Sequence, residues 1–240
     1  MFHRRWFRVP LVLLLAAALS TAGCGDGSTS DPEPQPQYFL IAYTLESPDD
    51  GVSEAAATLR SGITHLTWQP VTNASITVNH LALAAQIQTP GLYVRSPMPL
   101  DEGENIALDV VAGALVYETY AVRPASPAIT QPAAGDTIPA GATSLVVTWA
   151  EAEHAEAYIC EVRNMATEAR ASVRTSSTTA GFPLAGLATP GATLRISVAS
   201  LNGTFDFEDP RFPDSVYDEP PYFSGFAAIA RTVIQVFREP

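Results

Sequence analysis

The stretch LATPGATLRISVASLNG, residues 187–203, carries an apolar side chain at every second position from Leu194 to Val198. Alternation of apolar and polar residues is typical of a β-strand that buries one face. Pro190-Gly191 precedes the run and Asn202-Gly203 follows it, and both pairs are turn signals. The stretch therefore predicts a strand that begins and ends at turns and packs one face in a core.

Similar short runs recur along most of the chain, separated by Pro, Gly, Asn and acidic residues. They are YFLIAYTL, ITHLTW, ASITVNHLAL, GLYVRS, NIALDVVA, ALVYETYAV, SLVVTW, AYICEVR, ASVRTSSTTAGF and FAAIARTVIQVF. Strands repeated every 8–12 residues or so, with no long amphipathic helix between them, predict an all-β sandwich architecture. The segment GVSEAAATLR, residues 51–60, fits both helical and strand spacing, and the sequence leaves it open.

Three sets of alternating residues in the second half resemble strands B, C and F of a fibronectin type III or related immunoglobulin-like domain. The sets are Leu145, Val147 and Trp149; Tyr158, Cys160 and Val162; and Leu194, Ile196 and Val198. The stretch from Leu187 to Gly191 resembles the family's connection between strands E and F. Leu194 stands where the family usually has a tyrosine, so the resemblance implies that apolar contact holds that corner. It implies a fold and no particular function.

The chain divides into two predicted sandwich domains, residues 38–124 and 125–240, with a hinge at Arg123–Pro127. Trp149 and Cys160 are expected between the two sheets of the second domain. The first domain contains VTNASITVNHLAL, residues 71–83, and GLYVRSPMPLDEGENIALDVV, residues 91–111, and the second is entered through PAITQPAAG, residues 127–135. This layout resembles that of bacterial lipoproteins with tandem immunoglobulin-like modules.

Residues 1–23 have the pattern of a secretory signal, with a basic head followed by an apolar run that ends too soon to span a bilayer. The following Thr21-Ala22-Gly23-Cys24 resembles the lipobox of bacterial lipoproteins, in which diacylglycerol is attached to the cysteine. The resemblance implies that Cys24 is the lipidation site and anchors the protein in a membrane. The alternative is ordinary cleavage near Gly23, which leaves a free thiol.

Residues 24–37 then form a predicted disordered tether. From Gly25 onward the tether has no aromatic or aliphatic side chain, so it cannot bury enough surface to offset the entropy of ordering. In the sorting pattern of such lipoproteins, an aspartate directly after the cysteine retains the protein in the inner membrane. Gly25 stands at that position here, so the resemblance implies an outer-membrane address.

The net charge of the chain is −12, and all 13 basic residues are arginines. Removal of residues 1–23 takes away three arginines and no acidic residue, so the charge becomes −15. Because nucleic acids are polyanions, this balance excludes a nucleic-acid partner.

Candidate catalytic groups are sparse. Cys160 alternates with apolar neighbours and is predicted to be a small buried side chain, since a reactive thiol needs an electropositive, partly exposed setting. His65, His80 and His154 lie in separate segments without zinc-ligand spacing and are expected in solvent or turns. No Gly-x-Ser-x-Gly stretch and no phosphate loop occur in the sequence. The expectation is a protein that is not an enzyme, with no cofactor and no metal.

The stretch GTFDFEDPRFPDSVYDEPPYFS, residues 203–224, is predicted to be a long loop between the last two strands, a length usually reserved for function or disorder. It combines aromatic side chains, which are too apolar for a solvated coil, with densely spaced carboxylates. Three interpretations stay open: a structural flap, a binding loop for a protein or glycan partner, and a Ca²⁺ site that rests on charge density alone. The candidate binding residues are Phe205, Phe207, Phe212, Tyr217, Tyr222, Asp206, Glu208 and Asp209.

The sequence thus predicts a lipid-anchored protein of the cell envelope that acts as a non-catalytic binding or structural module. The alternative is a hydrolase of envelope or extracellular glycans that uses two carboxylates of the 203–224 loop as acid and base.

Overall fold

The computed structural model describes residues 37–46, 52–63, 67–207 and 223–240, with the backbone alone at 205–207 and 223–224. The described chain is all-β, which confirms the all-β part of the predicted fold class, and none of it forms a helix that could cross a bilayer. The strands are β1 Gln37–Glu46, β2 Ser53–Gly62, β3 Gln69–Pro70, β4 Ser75–Val78, β5 Leu81–Ala82, β6 Ala84–Ala85, β7 Leu92–Arg95, β8 Asn105–Ala112, β9 Leu115–Val122, β10 Ile129–Gln131, β11 Thr137–Ile138, β12 Ser144–Trp149, β13 Ala157–Asn164, β14 Arg170–Thr175, β15 Thr179–Pro183, β16 Thr193–Phe207 and β17 Phe223–Arg238.

The segment that the sequence leaves open, residues 51–60, contains most of strand β2. It pairs with β1 on one side and β7 on the other. Ala55 and Ala57 lie in a core on one face of the sheet, and Ala56 lies in an apolar cluster on the other. Pairing on both edges therefore outweighs the helical propensity of the alanines.

The strands form three sheets. The largest has ten strands in the order β14-β13-β16-β17-β1-β2-β7-β6, with β11 paired to β17 and β3 to β2. A three-stranded sheet has the order β10-β12-β15, and a four-stranded sheet has the order β5-β4-β8-β9.

Strand β17 lies at the centre of the ten-stranded sheet and joins the two halves of the chain. It runs antiparallel to β16 from Thr193↔Phe237 to Phe207↔Phe223. On its other edge it runs parallel to β1, from Ile41↔Gly225 to Leu45↔Ile229. Strand β17, the last in the chain, is therefore hydrogen-bonded both to the first strand, β1, and to β16, its partner in the last hairpin.

Two cores lie on the same face of this sheet. Residues an even number of positions apart on a strand share a face, and β17 places Phe226 and Ala228 in one core and Val236 in the other. The first core lies against the four-stranded sheet, and the second lies against the three-stranded sheet. The first half of the chain thus completes its core with side chains from the second half.

The second core confirms the predicted burial of Trp149 and Cys160. Trp149 on β12 and Cys160 on β13 lie in one cluster between two sheets, and each is nearly or fully buried. Leu194 of β16 is fully buried in the same cluster, so apolar contact holds that position, as expected.

The predicted hinge at Arg123–Pro127 is held by hydrogen bonds. The Arg123 guanidinium pairs with Glu46 and donates to the carbonyl oxygen of Leu100. The Ser200 hydroxyl donates to the Ala125 carbonyl at 2.6 Å. Residues 35–240 form one compact unit, and the division into domains 38–124 and 125–240 stays a prediction.

The shared strand predicts that residues 38–124 do not fold alone. The fragment lacks β17, so β1 loses a hydrogen-bonded neighbour and the first core loses Phe226 and Ala228. Large-to-small changes in a core cost about 3–5 kcal/mol for a phenylalanine alone, which is comparable to the stability of a small domain. We expect no cooperative thermal transition by circular dichroism in fragment 38–124 and a clear one in residues 38–240. A cooperative transition in the fragment would show that the first half is an independent domain.

Candidate functional site

The structure changes the bounds of the predicted 203–224 loop. Strand β16 continues to Phe207 and β17 begins at Phe223, so only residues 208–222 lie between the strands. The prediction that the loop begins at Gly203 is wrong. Gly203 has φ of +133°, and a β-carbon there would collide with the Phe226 carbonyl, so this glycine marks a close approach of two paired strands.

The candidate binding residues fall into two groups. The backbones of Phe205, Asp206 and Phe207 lie at the end of β16, where they pair with residues 225, 224 and 223 of β17. The other candidates lie outside the described residues, as does the predicted lipidation site. They are Glu208, Asp209, Phe212, Tyr217, Tyr222 and Cys24.

Asn202, which the sequence places in a turn, ties β16 to two other parts of the chain. Its side-chain oxygen accepts a hydrogen bond from the Val122 backbone N–H at 2.7 Å, and its amide nitrogen donates to the His154 carbonyl at 2.9 Å. Nearby, the hydroxyls of Thr119 and Thr204 are 2.8 Å apart. These contacts fix the last part of β16 against β9, before the hairpin reaches residues 208–222.

The face of the ten-stranded sheet opposite the two cores, here called the outer face, collects arginines. Directly paired residues on neighbouring strands point to the same side of a sheet, and so do alternate residues along one strand. Ile159 of β13 lies on the outer face, and these two rules identify the other residues that share it. The outer-face arginines are Arg163, Arg170, Arg174, Arg195 and Arg231. These are five of the 13 arginines, gathered on one surface of a chain whose net charge is −12.

Three of these arginines form a row across neighbouring strands. Arg163 pairs directly with Arg170 on one side and Arg195 on the other. Like charges placed opposite each other on a sheet repel, so the row requires compensation. Glu168 supplies part of it, since Arg163 Nε donates to its carboxylate at 2.6 Å. Arg195 also has an interaction partner.

Charged side chains on the outer face extend into buried positions. Glu161 is 7% exposed and Arg231 is 5% exposed, and both have interaction partners. A buried ion is costly unless it is paired and hydrogen-bonded. These two residues are therefore fixed parts of the structure rather than solvated surface groups.

An apolar cluster, here called the outer cluster, adjoins the arginines on the same face. Its members lie on six strands of the ten-stranded sheet. They are Ile41, Tyr43, Leu45, Ala56, Leu92, Val94, Ile159, Ala199, Leu201, Ala227 and Ile229, with Phe39 partly buried against them.

Sequence reasoning misses both the arginine row and the outer cluster. Arg195 and Ser197 alternate with core residues of β16, which is the usual pattern of a strand with one face in the core and the other in solvent. The one local signal is the recurrence of arginine on the same face of a strand, as at Arg170 and Arg174, four positions apart. The strand order that brings the arginines together is not local, so this signal alone does not reveal the row.

Cys160 has the environment of an inert thiol. It is fully buried, and burial followed by the negative charge of Glu161 raises the pKa of its thiol to about 12. The thiolate is the reactive form, so this cysteine is not a nucleophile at neutral pH.

His80 and His154 are exposed and both have left-handed backbone conformations, which confirms their predicted turn positions, while His65 lies outside the described residues. Within the described ranges, no three His, Cys, Asp or Glu side chains gather as metal ligands.

The fold places the chain in the class of all-β proteins with several sheets. Comparison with protein-family models and with curated proteins finds no match.

The raised pKa of Cys160 predicts a pH dependence of stability. The unfolded thiol loses its proton near its ordinary pKa of 9.0, whereas the folded thiol keeps it to about 12. Stability is therefore intact below pH 9 and falls as the pH rises toward 12, because only the unfolded state releases the proton.

We expect the free energy of unfolding in urea to fall more steeply from pH 9 to pH 11 in the wild-type chain than in Cys160→Ala. The substitution keeps the tyrosines and arginines, so the difference isolates the thiol. Parallel curves would show that Cys160 does not titrate differently in the two states.

Proposed function

We propose that the protein is a lipid-anchored component of a bacterial envelope, held at the outer membrane through Cys24, and that it acts as a non-catalytic binding or structural module. Its body is proposed to consist of two tandem immunoglobulin-like or fibronectin type III-like sandwiches. Two features support the proposal: the lipobox-like stretch before the tether and the all-β architecture of the folded body.

The strand arrangement of the second half supports the sandwich assignment. In immunoglobulin-type sandwiches, strands A, B and E share one sheet, and C, F and G share the other. With β12, β13 and β16 as B, C and F, the order β10-β12-β15 corresponds to A-B-E, and β13-β16-β17 corresponds to C-F-G. This likeness concerns the fold, and the function has to be argued from a site.

One observation carries the binding proposal: the β16–β17 hairpin is paired along its whole length, to Phe207↔Phe223. Both ends of the 208–222 segment are therefore fixed on a rigid sheet. Binding residues are often found on loops of this kind, because the rigid scaffold positions the loop whatever the sequence of the loop itself.

The composition of the 208–222 segment suits recognition. Phe212, Tyr217 and Tyr222 offer rings that can stack on sugars or pack on apolar partner surfaces, and five carboxylates can accept hydrogen bonds from hydroxyls. An envelope protein or a glycan has the matching chemistry.

The anchor is tested by Cys24→Ser. The variant lacks the thiol that would carry the lipid, so we expect it in the soluble fraction, while the wild-type protein sediments with membranes. A carbonate wash of both pellets removes peripheral protein. Retention of the serine variant in the washed pellet would show that another part of the chain holds the membrane.

The binding role is tested by co-sedimentation of residues 25–240 with purified peptidoglycan and with outer-membrane vesicles. We expect sedimentation of the wild-type body with one of them, and at least a tenfold weaker binding after Phe212, Tyr217 and Tyr222 are replaced by alanine. A matched control replaces the exposed Ile87, Val116 and Tyr120 by alanine and should bind normally.

Two results of this experiment would contradict the proposal. Equal binding by both triple variants would place the interaction outside the 208–222 segment. Release of soluble reducing sugar from peptidoglycan would favour the hydrolase over the non-catalytic module.

A further inference from the structure

Exposed apolar side chains gather at the end of the first half of the chain where β1 begins, here called the tether end. Gln37 at the start of β1 pairs with Gly62 at the end of β2, and Ile63, which follows directly, is 54% exposed. Strand β7 begins at Leu92 and runs antiparallel to β2, so the β6–β7 connection also lies at this end. That connection carries Ile87, which is 97% exposed.

The β8–β9 hairpin brings two more apolar side chains to the tether end. Val111 and Val116 pair directly beside its turn, and they are 46% and 69% exposed. The turn lies next to the start of β1, because the Tyr38 hydroxyl donates a hydrogen bond to the Ala112 carbonyl at 3.3 Å. Two isoleucines and two valines from three separate parts of the first half therefore share this end.

The other exposed large apolar side chains of the described residues are scattered. Tyr120 lies further along β9, and Val146 lies within β12 of the three-stranded sheet. Met165 and Phe237 lie near the end of β17, since the Met165 N–H donates to the Thr193 carbonyl and Thr193 pairs with Phe237. Single exposed apolar residues are normal on a protein surface, whereas four at one end mark a candidate interaction surface.

The connections of the first half differ in charge between its two ends. At the tether end, residues 86–91 and 113–114 contain no Asp, Glu, Lys or Arg. The opposite end includes residues 96–104, where the Met98 N–H donates to the Ser53 carbonyl at the start of β2. This connection carries Asp101, Glu102 and Glu104. Removing charged groups from water is costly, so the tether end is better suited to an apolar surface.

An aromatic pair and an arginine lie beside these apolar side chains. Trp68 is half-buried and stacks on Phe39, with 4.6 Å between the ring centroids. Phe39 pairs with Arg60, which is exposed. An arginine next to apolar groups can bind lipid phosphate with its guanidinium while its stem stays on the apolar surface.

A bilayer is the surface that the chain itself brings to this end. Residues 25–36 join the proposed anchor at Cys24 to Gln37 at the start of β1. A disordered chain of this length spans about 20 Å on average, which is less than the roughly 30 Å along β1 from Gln37 to Glu46. The tether end is therefore closer to the lipid surface than the opposite end, and the anchor raises its effective concentration there.

We propose that the protein lies against the phospholipid bilayer with its tether end, and that Ile63, Ile87, Val111 and Val116 enter the interfacial region. The inference rests on the proposed lipid anchor and adds the orientation of the folded body on the membrane. A few apolar side chains bind a bilayer weakly by themselves, so the contact depends on the anchor. The unanchored body in the co-sedimentation assay does not depend on this contact.

The test anchors the body artificially and measures the polarity around position 87. A hexahistidine tag replaces Cys24 ahead of residues 25–240 and binds a nickel-chelating lipid in phosphatidylcholine vesicles. Ile87→Cys is labelled with the polarity-sensitive dye nitrobenzoxadiazole, and the native Cys160 is fully buried and does not compete. We expect the emission to rise at least twofold when vesicles are added. The same dye at Val146→Cys should show no rise.

A matched control reverses the attachment. Strands β1 and β17 are parallel, so Pro240, which follows β17 closely, lies at the opposite end of the sheet from Gln37. The tag is moved behind Pro240 and joined through a second copy of residues 25–36. The dye at position 87 should then stay in water, and its emission should not rise.

Serine variants separate apolar contact from mere proximity. Ile63, Val111 and Val116 are replaced by serine in the labelled Ile87→Cys chain, and we expect the rise in emission to fall by at least half. Serine at Val146, Met165 and Phe237 forms the matched control and should leave the rise unchanged. If the first triple variant does not fold by circular dichroism, Val116→Ser alone takes its place, since Val116 is the most exposed of the three.

Four results would overturn the proposal. They are no rise at position 87 in the anchored chain, an equal rise at position 146, an equal rise with the tag behind Pro240, and a rise that survives the serine substitutions at the tether end. A rise that grows with protein concentration in the absence of vesicles would also overturn it, because a second copy of the chain would then cover this end.

The outcome is separate from the test of the anchor. The nickel-chelating lipid replaces any acyl chain, so the fluorescence result does not depend on whether Cys24 is lipidated in the cell. Fractionation of Cys24→Ser tests the anchor alone, and its failure would leave the orientation measured here without its natural attachment.

Discussion

The structure depends on the register of β17, which hydrogen-bonds β16 along one edge and β1 along the other. That register decides which side chains point to which face. Positions 226, 228 and 236 supply two cores on one side, and positions 227 and 229 supply the outer cluster on the other. A shift by one residue would exchange these faces, so all three apolar clusters depend on the same pairing.

This dependence links the two halves of the chain more closely than a linker between separate domains would. The bonds of Arg123 to Glu46 and of Ser200 to Ala125 add to a sheet that already passes through both halves. Relative motion of the halves would have to separate paired strands. This is costly because the backbone N–H and C=O groups of those strands would lose their hydrogen-bond partners. The proposed recognition segment is therefore presented from a stiff platform.

Electrostatics on the outer face follow from the same topology. A chain with a net charge of −12 places five of its arginines on one face of one sheet, close to the buried Glu161. The arginine row and the outer cluster occupy different regions of that face.

Local sequence determined the strands, since a period of two and turn residues specify which side chains alternate at Leu194, Ile196 and Val198 whatever the strand pairs with. It also determined the apolar character of Trp149 and Cys160, and the unusual composition of residues 208–222.

Only the tertiary structure decided that Gly203 lies within a strand, that Phe226 completes a core in the other half of the chain, and that Arg163, Arg170 and Arg195 form a row. These features depend on which strands are neighbours and in which register. Strands β1 and β17 are neighbours in the sheet although residues 41–45 and 225–229 are far apart in the sequence. Such non-local pairing leaves no periodic pattern in either strand from which it could be predicted.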